Sequence, residues 1–155
     1  MEDGAPTTEA KEAGKLCKGD FIMMGDKPCR VFKTSKAKPG KHGSAKAIIQ
    51  AKGIIDGKTV EKSFGTADLV DAPIVKRIEY PCLGINDEDE ATFLQLQTES
   101  GDMKEDVKLY ETGDVFQEVN EQIKKFMADD VPILVTVMNV IGHEIPCAAR
   151  EDPDA

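Results

Sequence analysis

The sequence predicts a mainly β protein made of two small barrels in tandem, with a single helix in the second. Three observations carry this. Short apolar stretches broken by Gly-Asp and Asp-Gly pairs run through the first half, one later segment alone has a helical period, and the charge changes sign near Pro73. Within 155 residues of net charge −9, residues 1–14 contribute −3, residues 15–75 contribute +6 and residues 76–155 contribute −12. That length suits one ordinary domain or two small ones with modest cores.

Residues 1–14 are polar and rich in Glu, Ala, Thr and Gly, with too little to bury, and are expected to form a flexible acidic tail. From Lys15 the apolar stretches begin. Phe21 to Met24 precedes Gly25-Asp26-Lys27, Cys29 to Phe32 and Ala45 to Ala51 follow, and Asp56-Gly57 separates Gly53 to Ile55 from Val60 to Phe64. Such pairs between apolar runs are hairpin signals, so residues 15–73 read as a small all-β barrel of about five strands. Pro73 fixes its own φ and biases Ala72 towards extended backbone, which places the domain boundary within residues 72–77.

The second domain, residues 76–155, opens with a strand from Val75 to Ile85 and an acidic turn, Asp87-Glu88-Asp89-Glu90. In the next strand, residues 92–97, alternation sets Phe93 and Gln95 against Leu94 and Leu96. Gly101 closes a turn before a strand at Val107 to Tyr110. Asp114 is placed to cap a helix in which Val115, Phe116, Val119, Ile123, Phe126 and Met127 recur every three or four residues, leaving Glu118, Glu121, Gln122 and Lys125 outside. Val131 to Ile141 and His143 to Ala148 supply the last strands. Three strands, a helix and two strands is the layout of an OB-type barrel. Such barrels often bind single strands through basic, aromatic faces, but this half is strongly acidic and poor in aromatics.

Composition excludes several functions. No apolar run is long enough to span a bilayer, and Met1-Glu2-Asp3-Gly4 begins no signal peptide, so a cytoplasmic address without membrane contact is expected. Cysteines at 17, 29, 82 and 147, with no Cys-x-x-Cys pair and only two histidines, argue against zinc and are expected to be small buried thiols. The run Asp87 to Glu90 reads as a solvated turn rather than a cation site. His143 reads as structural, and no triad, Cys/His pair or carboxylate pair marks a catalytic residue. The total charge opposes nonspecific coating of nucleic acid, yet seven of the 20 basic residues lie in residues 27–46 with no acid among them.

That cluster centres on a predicted hairpin whose strands, Cys29 to Thr34 and Ser44 to Ala51, are joined through Ser35 to Gly43. Pro39-Gly40 is a type II turn signature that leaves Lys41 at the tip. Bracketed by Gly40 and Gly43, and repelling itself through Lys36, Lys38, Lys41 and Lys46, the loop is expected to project and replace counterions at phosphates. It is not a phosphate-binding P-loop, because neither Gly-Lys-[Ser/Thr] nor a helix follows.

Pro39-Gly40-Lys41-His42-Gly43-Ser44-Ala45-Lys46 between two hairpin strands resembles the hypusine loop of the translation factor 5A family, the eukaryotic and archaeal relatives of bacterial elongation factor P. Lys18 to Ile22, Lys27 to Val31, Ala72-Pro73 with Lys76-Arg77, and Ile133 to Val137 extend the likeness over nearly everything after the tail. The resemblance implies an SH3-like basic barrel followed by an acidic OB fold. It implies that Lys41 takes an aminobutyl group from spermidine to become deoxyhypusine or hypusine. Lys36, Lys38, Pro39, Gly40, His42, Gly43 and Lys46 would present it or contact RNA.

The implied partners are the ribosome, peptidyl-tRNA, deoxyhypusine synthase and, where hydroxylation follows, deoxyhypusine hydroxylase. The implied role is non-enzymatic, with no cofactor or metal: promoting peptide bond formation at stalled sequences such as proline runs, and termination. Eukaryotic members usually carry Thr and His where this chain has Pro39 and Ser44, so the loop is closer to archaeal wording. An unmodified two-barrel RNA-binding protein is the alternative.

Overall fold

Hairpin strands in the first half bury alternate residues, and the pattern is clearest in the central strand. The computed structural model describes residues 7–38, 45–110 and 116–154. The chain divides into two compact units, Met1–Ile74 and Val75–Ala155. In the first, β2 (Phe21–Met24), β3 (Lys27–Ala37), β4 (Lys46–Gly53) and β5 (Thr59–Gly65) form an antiparallel sheet in chain order. Ala47, Ile49 and Ala51 of β4 turn inward with Ile22, Cys29 and Val31, and are almost wholly buried. Burying one such Ile or Val contributes about 1.5–3 kcal/mol, enough to fix the register of a strand whose other face carries Lys46, Gln50 and Lys52 beside a single Ile48. Gly25 and Gly57 take positive φ angles of 69° and 70° at the two turns flagged by Gly-Asp and Asp-Gly.

The expected flexible tail is corrected for residues 8–14. Thr8–Glu12 forms β1, paired antiparallel with β6 (Leu69–Pro73), and Ala13–Lys15 makes a 3-10 turn. A backbone ladder holds this strand, whose one apolar residue, Ala10, is exposed. The hydrophobic anchorage comes just afterwards, from Ala13 and Leu16 in the core. The 3-10 turn then leads towards β2 and the hairpins.

In the second unit the sheet order is β11-β10-β7-β8-β9. Its strands are β7 (Lys76–Glu88), β8 (Ala91–Gln97), β9 (Met103–Lys104), β10 (Ile133–Val140) and β11 (His143–Glu151), and α1 (Gln117–Ala128) lies between β9 and β10 in the chain. Leu94 and Leu96 face the core with Val135, Ile133 and Ile123 of the helix, while Val119, Phe126 and Met127 pack around them. The acidic turn is the tip of the β7–β8 hairpin, with Asp89 and Glu90 in the left-handed region.

Two readings of this unit change. The strand expected at Val107 to Tyr110 is reduced to a Phe93–Lys108 bridge, and the ladder strand is instead Met103–Lys104. Val107 and Leu109 still bury their side chains, the Leu94 N–H donates to the Val107 carbonyl at 2.8 Å, and the Leu109 N–H donates to the Thr92 carbonyl at 2.9 Å. The helix starts at Gln117, preceded by Phe116 without a side-chain cap; Asp114 lies outside the described residues. Asn120, on the buried side, donates from Nδ2 to the Tyr110 carbonyl at 2.7 Å, which satisfies an amide that would otherwise be costly there.

The four cysteines form no disulfide among the described residues, and only some are buried. Cys29 and Cys82 sit in the two cores, where burial pushes both thiols above their ordinary pKa; Cys147 is half-buried. Cys17 is exposed, contrary to expectation, because it follows core residue Leu16 in an irregular segment where its N–H donates to Asp20 Oδ2 at 2.8 Å.

Two outcomes follow from the turns. Ile141 adopts φ 49° beside Gly142 at φ 79° in the β10–β11 turn, a conformation hostile to a β-branched residue. Ile141→Asn should therefore raise stability by about 1 kcal/mol, read from urea melts. In the β4–β5 turn the Lys58 N–H and then the Lys27 ammonium, 3.0 Å away, hold the Asp56 carboxyl below its ordinary value of 3.8. Its folded pKa is depressed, so its stabilisation is present above the ordinary value and is lost as pH falls through the lower folded one; Asp56→Asn should flatten that part of the acid-denaturation curve.

Candidate functional site

The cationic segment is delivered by the ends of β3 and β4. Their ladder runs from Cys29↔Gly53 to Ala37↔Lys46, so β3 continues through Ser35 and Lys36, which were expected to lie in the loop. The two strands outrun the core: every residue of β3 from Lys33 to Ala37 is exposed, as are Lys38 and Lys46. Three of the predicted site residues thus have defined places, Lys36 within β3, Lys38 just beyond it and Lys46 at the start of β4. Pro39, Gly40, Lys41, His42, Gly43 and Ser44 lie outside the described residues.

The outgoing leg is braced from the side. The Thr66 N–H donates to the Ala45 carbonyl at 3.1 Å, immediately before Lys46. Thr66 belongs to a tight turn after β5 in which the Gly65 N–H donates to Asp68 Oδ2 at 2.8 Å and the Asp68 N–H donates to the Gly65 carbonyl at 3.0 Å. That turn rests in turn on the N-terminal segment, where the Ala13 and Gly14 N–H groups donate to the carbonyls of Asp68 and Thr66, each at 2.9 Å. Gly14, Gly65, Thr66 and Asp68 therefore support the hairpin, and the sequence does not show them because, apart from the Asp68 carboxylate, they act through backbone groups. The Gly-Thr-Ala-Asp spacing after an apolar strand is the signal that could have marked this turn.

Lys62 was also missed. It lies opposite Ile49 on β5, and its Nζ sits 5.4 Å from the centre of the Phe64 ring, so another cation stands near the extended end of the hairpin. Clustered donors of this kind, held on paired strands, are suited to phosphate oxygens. Among the described residues no group of three or more His, Cys, Asp or Glu side chains could hold a metal ion, and no helix is long and apolar enough to cross a membrane.

Fold and hairpin together define a class: a two-unit β protein that carries a cationic segment between paired strands of its first unit and an acidic sheet with one helix in its second. Two family models match, "Translation initiation factor 5A-like, N-terminal" over residues 6–68 and "Eukaryotic elongation factor 5A hypusine, DNA-binding OB fold" over residues 74–150. The chain belongs to the translation factor 5A family.

It is similar to eukaryotic translation initiation factor 5A-2 of Schizosaccharomyces pombe, at 32% identity over 99% of this chain and 86% of that protein. The 5A-2 factor of Medicago sativa is 34% identical over 96% of this chain and 89% of its own length. Among solved structures, a translation initiation factor 5A family protein from Naegleria fowleri superposes with a TM-score of 0.73 at 30% identity, covering 94% of this chain and 99% of that one. The Methanococcus jannaschii factor shares the fold, with a TM-score of 0.70 at 23% identity over 97% of this chain and all of that one, 100%.

A side chain at Gly14 has no room, since a Cβ there would stand 2.9 Å from both the Cβ and the carbonyl oxygen of Thr66. Gly14→Val should cost about 1–3 kcal/mol by overpacking and speed hydrogen exchange at the Thr66 amide, measured by NMR.

Proposed function

We propose that this chain is a translation factor that binds the ribosome in the cytoplasm and acts through a modified Lys41. The observation that carries the reading is the sequence Pro39-Gly40-Lys41-His42-Gly43-Ser44-Ala45-Lys46, set between β3 and β4 in a member of the translation factor 5A family. Deoxyhypusine synthase forms a C–N bond from the aminobutyl group of spermidine to Lys41 Nζ while the donor's own C–N bond to that group breaks, and the rest of the donor leaves as 1,3-diaminopropane, carrying the proton lost from Nζ. Deoxyhypusine hydroxylase then acts wherever the second step occurs. The product side chain is longer than lysine and has a second protonatable amine, so it reaches further and offers more donors to phosphate oxygens.

Lys41 then stands beside the acceptor end of peptidyl-tRNA. Lys36, Lys38 and Lys46 on the hairpin legs supply electrostatic steering and phosphate contacts, while Pro39, Gly40, His42 and Gly43 shape the presentation of the modified side chain. The factor positions the reacting ends at stalled sequences such as proline runs, and at termination. The bond-making remains the ribosome's, so no residue of this chain is assigned a catalytic role and no cofactor is required.

Lys41→Arg keeps a positive charge but removes the amine that accepts the aminobutyl group. It should abolish stimulation of a proline-run reporter in translation extracts, whereas unchanged reporter output would overturn the proposal. Intact mass spectrometry of protein from its native cells should show one added aminobutyl group, hydroxylated or not. Unmodified Lys41 in every molecule would leave an unmodified RNA-binding protein as the better reading.

A further inference from the structure

We propose that a cleft in the second unit, between β7 and the end of β8, is a docking site for an extended, lysine- or arginine-bearing segment of a partner protein, which adds to β7 as a strand. The cleft follows from the way the strands are shared. β7 pairs with β10 from Lys76 to Cys82 and with β8 only from Cys82 onwards, while β8 runs on past Leu96 in its pairing with β9. Each strand is drawn to a different neighbour. They part at Cys82↔Leu96 and leave a cleft of about 630 Å³ lined by residues 78–81 and 97–99.

One wall is an open strand edge. In an antiparallel pair every second residue turns its N–H and C=O away from its partner. Along residues 78–81 these groups face the cleft instead of β8, and among the described residues no backbone hydrogen bond closes them. Pro81 has no N–H to offer, so the edge that can pair is short. Ile78 is 57% exposed although it stands opposite buried Val137, and half-buried Tyr80 and Pro81 add apolar surface beside it. A free edge next to exposed apolar side chains is the arrangement that takes peptides by strand addition, in which main-chain bonds give affinity and alternate side chains give specificity.

The charged groups select the partner. Both carboxylate oxygens of Glu79 are occupied, accepting from Arg150 Nε and Nη2 at 2.9 and 3.1 Å. Glu99 on the other wall is exposed and forms no ion pair among the described residues. Residues 97–106 carry Glu99, Asp102, Glu105 and Asp106 against Lys104 alone, within a half of net charge −12. That field attracts a cationic segment and repels a nucleic acid or an anionic membrane surface. Lys76 and Arg77, at the start of β7, are the exception, and they direct the partner's basic residues to the Glu99 wall.

Fluorescence anisotropy of a labelled nonapeptide of alternating lysine and valine, titrated with the full chain, tests this. Ile78→Thr, which keeps a β-branched residue in the ladder with β10, should weaken binding about fivefold. Glu99→Gln should weaken it about threefold at low salt and have no effect at about 1 M salt, where the Debye length is about 3 Å. Leu83→Ser removes a side chain that is 59% exposed on β7 but outside the cleft, and should leave binding unchanged. N-methylation of one alternate set of peptide nitrogens, those facing β7, should abolish binding, while methylation of the other set leaves it within about twofold. These effects should persist in a Lys41→Arg chain, so a failure here and a failure of the function proposed for the loop are read separately.

Absence of saturable binding, wild-type affinity in Ile78→Thr, or equal effects of the two methylated sets would overturn the proposal. So would an equal loss in Leu83→Ser, the mark of nonspecific apolar adhesion, and competition by a uridine dodecamer as strong as that by unlabelled peptide, which would assign the cleft to nucleic acid. A dimer by light scattering that becomes a monomer in Ile78→Thr would assign the edge to a second copy of the chain instead. If Ile78→Thr does not show the wild-type thermal transition, the methylated peptides and Glu99→Gln decide the matter by the same readings.

Discussion

Like charges gather at one place only when something holds the backbone that bears them, and in this protein that task falls to the ladder between β3 and β4. Its inner side is locked by Val31, Ala47, Ile49 and Ala51 in the core. Because these residues fix the register, the ladder continues past the core to Ala37↔Lys46 and carries Lys36 and Lys46 into solvent on paired strands. A slip of one residue would turn the apolar set outward, so the position of the cationic segment is coupled to the burial of the core. The N-terminal segment extends this control through Gly14 and Thr66 to Ala45.

The charge distribution follows the division into units. A net charge of −9 for the whole chain conceals a basic first unit and an acidic second one. Acidic surroundings limit nonspecific attachment to polyanions, while cations concentrated on one hairpin and one sheet face keep a strong local field. The polar groups of the second unit serve its own fold as well: Lys104 lies between Asp106 and Glu144, at 2.9 and 3.0 Å, and Arg150 pairs with Glu79 at 2.9 Å. Exposed pairs such as the latter contribute little to stability, and the buried apolar cluster around Leu94, Leu96 and Ile123 carries most of it.

Elements with strong periodic burial could be read directly from residue order. The alternation of Leu94 and Leu96 with Phe93 and Gln95, and the helical spacing of Val119, Ile123 and Phe126, reflect side chains that must reach one core from a regular backbone. β1 could not be read in this way, because Thr8 to Glu12 is held by backbone pairing to β6 and has almost no apolar signal. Nor could the early end of regular pairing near Val107, where two buried side chains look like a strand but the ladder is reduced to a single bridge.

Residue order by itself determined the mainly β class, the change of charge near Pro73, and the loop motif from Pro39 to Lys46, which identified the family. These are properties of composition, period and local turn chemistry, carried by neighbours along the chain. Tertiary structure decided which cations share a surface. Phe32 and Lys33 lie on the same face because a bulge breaks the two-residue alternation, and Arg30 meets Lys52 because strands distant in sequence pair in one register. Pairing across strands depends on how the whole core packs, which no local pattern of residues specifies.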